Sequence, residues 1–344
     1  MTLETPTDAA AEVESTGRAP RPRPSIDALG ILERFALPLI VVALIVFFSV
    51  FSPTSAVFPT AVNWQNVLGN QTVVAIAAIA ILLPLMCNQI DLSIGANIGV
   101  SAIMTAAAFE KWDAPLWQAC LVGVLTGTVI GLINAIVIVR FNVPSLIATL
   151  GTTSLIQGYV SWYTSGQFIQ KNIPESLTNF GSQLWLGVPR VTLAVVVLAA
   201  LVYYIQQHTP FGRRLVSIGD NPTSARLIGL DVNRSMFAAL LITGALAGLA
   251  GVLLLARSGA GNPQVGPGYT LQALSAAFLG ATAIKPGRFN VVGTIIGVLL
   301  VAVTVNGLVL AGAADWVQPV FSGAALLASV GIAAYISRRR AGVA

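Results

Sequence analysis

The chain has 344 residues, 56% of them hydrophobic and only 9% charged, with 18 Lys and Arg against 13 Asp and Glu. Soluble domains carry roughly 25% charged residues, so this composition cannot cover a water-facing surface and marks an all-α, polytopic membrane protein. The net charge of +5 sits between apolar runs and not along one face, which is a topology signal and not a nucleic-acid footprint.

Residues 1–30, rich in Ala, Pro, Glu and Arg, hold nothing that could form a core and read as a disordered cytoplasmic tail. Glu4, Asp8, Glu12 and Glu14 come first and the apolar run after Arg34 is too long for a signal-peptide core, so the segment is not a signal peptide. A transmembrane domain over 31–337 follows, then a short cytoplasmic tail, 338–344. Ten runs are long enough for the hydrocarbon core: about 35–52, 69–87, 92–109, 117–139, 144–164, 191–206, 235–256, 268–283, 291–311 and 317–336. The eighth is short and glycine-containing, which fits a partial or tilted crossing, and the 87–92 connection is tight. With the N-terminus inside, only Lys111, Lys171, Arg190 and Arg257 of the 18 cations fall outside, and that bias sets the orientation. All six Trp lie on the outer side in this arrangement. Ten spans divide five plus five, and an odd number per half makes the second half enter from the opposite face, the arithmetic of an inverted repeat. Gly95–Gly99, Gly123–Gly127–Gly131, Gly244–Gly248 and Gly293–Gly297 have the spacing that lets helix backbones approach closely.

Between the sixth and seventh spans lies a basic cytoplasmic loop, 207–234. Within it, Asn221 or Asp220 can cap a short helix, Pro222 suits its first position and Gly229 its stop. Ala225, Arg226, Leu227 and Ile228 complete about two turns. So short a helix is marginal alone and needs a partner surface to hold its shape.

Only Asp91 among the acids stands apart from the loops and tails. It either caps the third span and satisfies its free amides, or contacts substrate or a gate. Asn97, Ser101 and Thr105 recur every fourth residue in the third span, opposite Gly95 and Gly99; Ser145, Thr149, Thr153 and Gln157 do so in the fifth. Uncharged hydroxyls and amides suit a neutral solute such as a sugar, or they bond to their own and neighbouring helices. Asp91, Asn97, Ser101, Thr149 and Thr153 are the candidate pathway residues. Lone His208 reads as interfacial, and Cys87 and Cys120 as buried thiols. With no GxxxxGK[ST] loop, no metal-binding cluster and no nucleophile–base pair, the chain is not an enzyme, has no catalytic residues and holds no cofactor of its own.

Three stretches resemble the permease subunits of bacterial ABC sugar importers of the ribose, xylose and arabinose type: IDLSIGANIGVSA (Ile90 to Ala102), FNVPSLIATLGTTSLIQG (Phe141 to Gly158) and the long run from Thr209 to Leu300. The likeness covers most of 35–336. Two departures stand out. Asn88 and Gln89 replace the family's glycine pair before IDLS, which adds Asn88 to the pathway candidates, and GATAIKPGRFN replaces a glycine-rich turn. The resemblance implies that Gly219–Gly229 contains a coupling helix that docks on an ATP-binding subunit, which holds the ATP. It also implies a second permease copy, a periplasmic or lipid-anchored sugar-binding protein, and a location in the bacterial inner membrane. Alternating access would follow from ATP-driven motion of that helix. The rivals are an ion-gradient-driven secondary transporter of a small polar solute, which commonly holds acids or bases mid-span, and a scaffold without transport.

Overall fold

The computed structural model describes residues 28–340, with side chains described over 34–331, so most of both expected tails lies outside the described residues. Residues 28–30 and 338–340 are the first and last turns of helices α1 and α13 and not parts of tails.

The elements in order are α1 (Ala28–Val50), α2 (Ala61–Leu85), α3 (Ile94–Trp112), α4 (Leu116–Ala135, prolonged by a π-helical turn, Ile136–Arg140), α5 (Ser145–Thr164), α6 (Glu175–Ser182), a hairpin of β1 (Leu184–Trp185) and β2 (Val188–Pro189), α7 (Arg190–His208), α8 (Pro210–Asp220), α9 (Pro222–Leu227), α10 (Val232–Ser258), α11 (Gly268–Ala281), α12 (Val291–Leu310) and α13 (Val317–Arg340). Every expected span falls on one helix. Among the described residues, five of them, α2, α4 with its π turn, α7, α10 and α12, are long and apolar enough to cross a membrane.

At the centre stands α2. From Thr72 to Leu85 every residue is buried, as expected of a helix that is apolar all round and enclosed by others. Its start lies at Ala61 and not near residue 69, because the polar run NWQNVLGNQ continues the helix outward and Thr60 caps it, accepting from the Asn63 N–H at 3.3 Å.

The glycine motifs are seams. Gly127 and Gly131 of α4 lie against Gly244 and Gly248 of α10, Gly293 of α12 against Gly280 of α11, and Gly95 and Gly99 of α3 against Gly266. In each case a Cβ would meet opposing backbone, so only glycine permits that helix separation.

The beginnings of α3 and α11 lie together. Residues 89–93 lead into α3, and residues 259–267 lead into α11. The two beginnings meet: the Gly95 N–H donates to Thr270 Oγ1 at 3.0 Å, and Thr270 Oγ1 donates to the Leu92 carbonyl at 3.3 Å.

Candidate functional site

The stretch 209–220, expected as loop, is mostly helix α8. Thr209 accepts from the Gly212 N–H at 3.3 Å and Pro210 opens the first turn, while Leu215 and Ile218, one turn apart, are fully buried. Arg213 and Arg214 mask that apolar spacing in the sequence. The α8 C-terminus lies on the turn after α2: Gly219 packs against the Met86 carbonyl and the Asn88 amide donates to the Gly219 carbonyl at 2.6 Å.

In α9 the cap is Asn221, whose Oδ1 accepts from the N–H groups of Thr223 and Ser224 at 3.0 Å each. Asp220 does not share that role; it ends α8 and faces Arg288 at 3.5 Å. Pro222 opens the helix, and Gly229 closes it at φ +83, with its N–H and that of Leu230 donating to the Arg226 and Ala225 carbonyls. Ala225 is the one buried residue of the helix. Arg226 is exposed, Leu227 is 83% exposed and Ile228 74%. A capped turn rooted by one methyl group therefore presents two large aliphatic side chains and a guanidinium outward.

The polar stripes have partners within the chain. Asn97, Ser101 and Thr105 are buried; Asn97 donates to the Gly127 carbonyl at 3.2 Å, Ser101 to Asn97 Oδ1 at 3.3 Å, and Thr105 to the Ser101 carbonyl at 2.7 Å. The α5 stripe runs along the irregular stretch before α3. The Ile90 N–H donates to Ser145 Oγ at 3.2 Å, the Leu92 N–H to Thr149 Oγ1 at 3.1 Å, and Thr153 Oγ1 to the Leu92 carbonyl at 3.1 Å. The match is geometric. Four helical residues rise about 6 Å, close to the span of two residues of near-extended chain, about 6.6 Å, so Ser145 and Thr149 meet the N–H groups of Ile90 and Leu92, while Thr153 takes the Leu92 carbonyl.

Asp91, 3% exposed, accepts from the backbone N–H and the hydroxyl of Ser93 at 2.8 and 2.6 Å. Ser93 Oγ accepts from Asn134, which accepts from Thr152 at 2.7 Å. Asp91 thus orders the approach to α3, while the free amide at Gly95 is met by Thr270 and not by Asp91. Both departures from the family pattern occupy left-handed turns: Asn88 has φ +59 and Ile284 φ +61. Asparagine tolerates that conformation where glycine would be free of strain, which accounts for the exchange at 88. Asn88→Ala will lower thermal stability in detergent by about 1–2 kcal/mol, from left-handed strain together with the lost tie to Gly219, and Asn88→Gly by about 1 kcal/mol or less. An alanine variant as stable as the parent would remove both effects from the account.

A group of amides at the N-terminal end of α2 was not singled out in the sequence. Asn63, Asn66 and Asn70 recur at i, i+3 and i+7, but a hydropathy window treats them as the edge of a span. Asn66, Asn70 and Gln71 line a cleft of about 470 Å³ with residues of α11, α12 and α13.

The family model for the permease component of the branched-chain amino acid transport system matches residues 63–330. The chain belongs to that permease family. It is a transport component of the bacterial inner membrane and not an enzyme. The permease is 34% identical to the probable ABC transporter permease protein YphD of Escherichia coli K12 over 85% of this chain and 87% of that protein. It is 31% identical to the ribose import permease protein RbsC of the same strain, over 84% and 91%. With the autoinducer 2 import system permease protein LsrC of Photorhabdus luminescens it shares 28% over 76% and 78%. The resemblance to permeases of bacterial ABC sugar importers therefore extends along most of the chain. No solved structure matches.

Proposed function

We propose that this permease is the membrane-spanning subunit of an ATP-driven importer for a neutral monosaccharide or related polyol, coupled to a separate ATPase subunit through α9. The observation that carries this reading is α9 itself: a six-residue helix fixed at both ends, held by Ala225, with Leu227 and Ile228 turned away from the body. Two aliphatic side chains exposed to water on so small an element are explained by a groove that covers them. The contacts of α8 with Met86 and Asn88 supply a mechanical link from that element to the start of α3.

The permease crosses the bilayer ten times in five-plus-five inverted halves, works with a second permease copy, and receives solute from an extracellular binding protein. Support for the halves comes from α3 and α11, the third span of each, whose beginnings meet through Thr270. The ABC transporter name of one relative supports the ATPase partner, and the ribose import name of another supports the sugar-like cargo. The coupling step runs as rigid-body motion: closure of the ATPase pair displaces α9, α8 follows, and the tightly seamed helices reorient together.

Arg226→Ala combined with Ile228→Ala will leave membrane insertion and thermal unfolding unchanged, abolish solute uptake in proteoliposomes, and weaken co-purification of the ATPase subunit. Normal uptake by this double variant would remove α9 from the coupling path.

A further inference from the structure

Four helices converge on the cleft at the N-terminal end of α2. Asn66, Asn70 and Gln71 come from α2, Gln272 from α11, Asn306 from α12 and Gln318 from α13. Among the described residues, no carboxylate or cation lines it. In a chain with only 9% charged residues, six carboxamides from four separate helices at one place form a selected chemical surface.

Their hydrogen-bonding capacity is largely unused. Asn306 is committed to Asn63 through two reciprocal bonds of 3.1 Å. Asn70 is committed on one side only: its Oδ1 accepts from the Arg257 guanidinium at 3.3 and 3.2 Å, which turns its NH₂ away from that cation. Among the described residues, the side chains of Asn66, Gln71, Gln272 and Gln318 make no hydrogen bond, although the three glutamines are half-buried. The amide atoms of the three glutamines are not sealed from solvent, so water meets them in the cleft and a solute that enters can take the water's place. Each amide offers two donors and an acceptor, the pairing a hydroxyl group takes, whereas an anion or cation would be matched by opposite charge. The volume lies within the roughly 300–1,000 Å³ of small-molecule sites. Tyr269 adds an aromatic wall, as in sites that combine one apolar surface with a few fixed polar groups.

We propose that this cleft is a binding site for an uncharged, polyhydroxylated solute on the permease itself, with Gln272 and Gln318 as its principal ligands. That the bound solute is also the transported one rests on the importer reading above; the binding does not.

The test uses the full chain purified in detergent. Thermal unfolding is followed with a panel of aldopentoses, aldohexoses and linear polyols, with acetate and choline as charged controls. At least one neutral member will raise the unfolding temperature while the controls will not, and Gln272→Leu with Gln318→Leu will weaken that member's apparent affinity at least tenfold. Asn66→Ala, at an exposed position, provides a milder variant expected to weaken it severalfold without affecting folding. The proposal is overturned if no neutral member stabilises the parent chain, or if both variants bind as the parent does. Co-purification of the ATPase subunit, measured in parallel, separates the two readings: loss of that association from the parent chain counts against the importer and leaves polyol binding standing.

Discussion

Gly127→Leu will prevent the chain from reaching a monodisperse, cooperatively unfolding state in detergent, whereas Gly151→Ala will leave its stability unchanged or raise it by up to about 1 kcal/mol. A Cβ at Gly127 would lie 2.5 Å from the Gly244 carbonyl oxygen and from Gly248 N and Cα, all backbone atoms that cannot rotate aside. One turn on, a Cβ at Gly131 would lie 2.8 Å from Gly244 Cα and the Leu240 carbonyl oxygen. Relief at one point therefore opens the whole α4–α10 seam. Overpacking in a core costs about 1–3 kcal/mol where side chains can adjust, and more where backbones must part. In lipid the loss is not offset by a hydrophobic term, because the surrounding tails are as apolar as the helices. Gly151 meets nothing within 4 Å, so a methyl group there adds helix propensity and no clash. Size-exclusion profiles and thermal unfolding of the two variants measure the contrast. A well-behaved Gly127→Leu protein would contradict the interlocked seam.

What the sequence made legible was local. The start and stop of α9 were readable because Asn221, Pro222 and Gly229 act within a few residues of themselves. The helices were readable as apolar runs because burial in lipid demands length. Features settled by distant partners were not. The stripe of Ser145, Thr149 and Thr153 was visible as a stripe, but its partner is the backbone of residues 90–92, which no helical wheel contains. Asp91 was visible as the exceptional acid and orders the approach to α3 through Ser93, but one of the amides at that helix start, Gly95, is satisfied by Thr270, 175 residues away. Helix α8 was missed because its two arginines outweigh Leu215 and Ile218 in any count of polarity. The amides of the cleft were missed for the opposite reason: those of α2 flank an apolar run and were discounted as its margin, although their spacing already placed Asn66 and Asn70 on one helical face.

Thr149→Val will destabilise the chain by about 2–4 kcal/mol, although valine has the shape of threonine and leaves no cavity. Thr149 is fully buried, and its hydroxyl is the acceptor for the Leu92 N–H and lies 3.4 Å from the Ile90 carbonyl. With the hydroxyl gone, a backbone N–H in a water-free interior has no partner, and membrane interiors tolerate irregular backbone only where protein groups replace the missing ladder. Thr149→Ser restores the oxygen and will recover most of the loss. Ser154→Ala, at an exposed position of the same helix outside the stripe, will have no measurable effect. The consequence reaches function because the stretch held by Thr149 runs from Asn88, bonded to the end of α8, to Gly95, bonded to α11. If displacement of α9 is carried inward through α8, this stretch transmits it. A Thr149→Val protein assayed below its unfolding temperature will then hydrolyse ATP with its ATPase subunit but transport less solute per ATP. Full coupling in that variant would confine the hydroxyl ladder to a structural role.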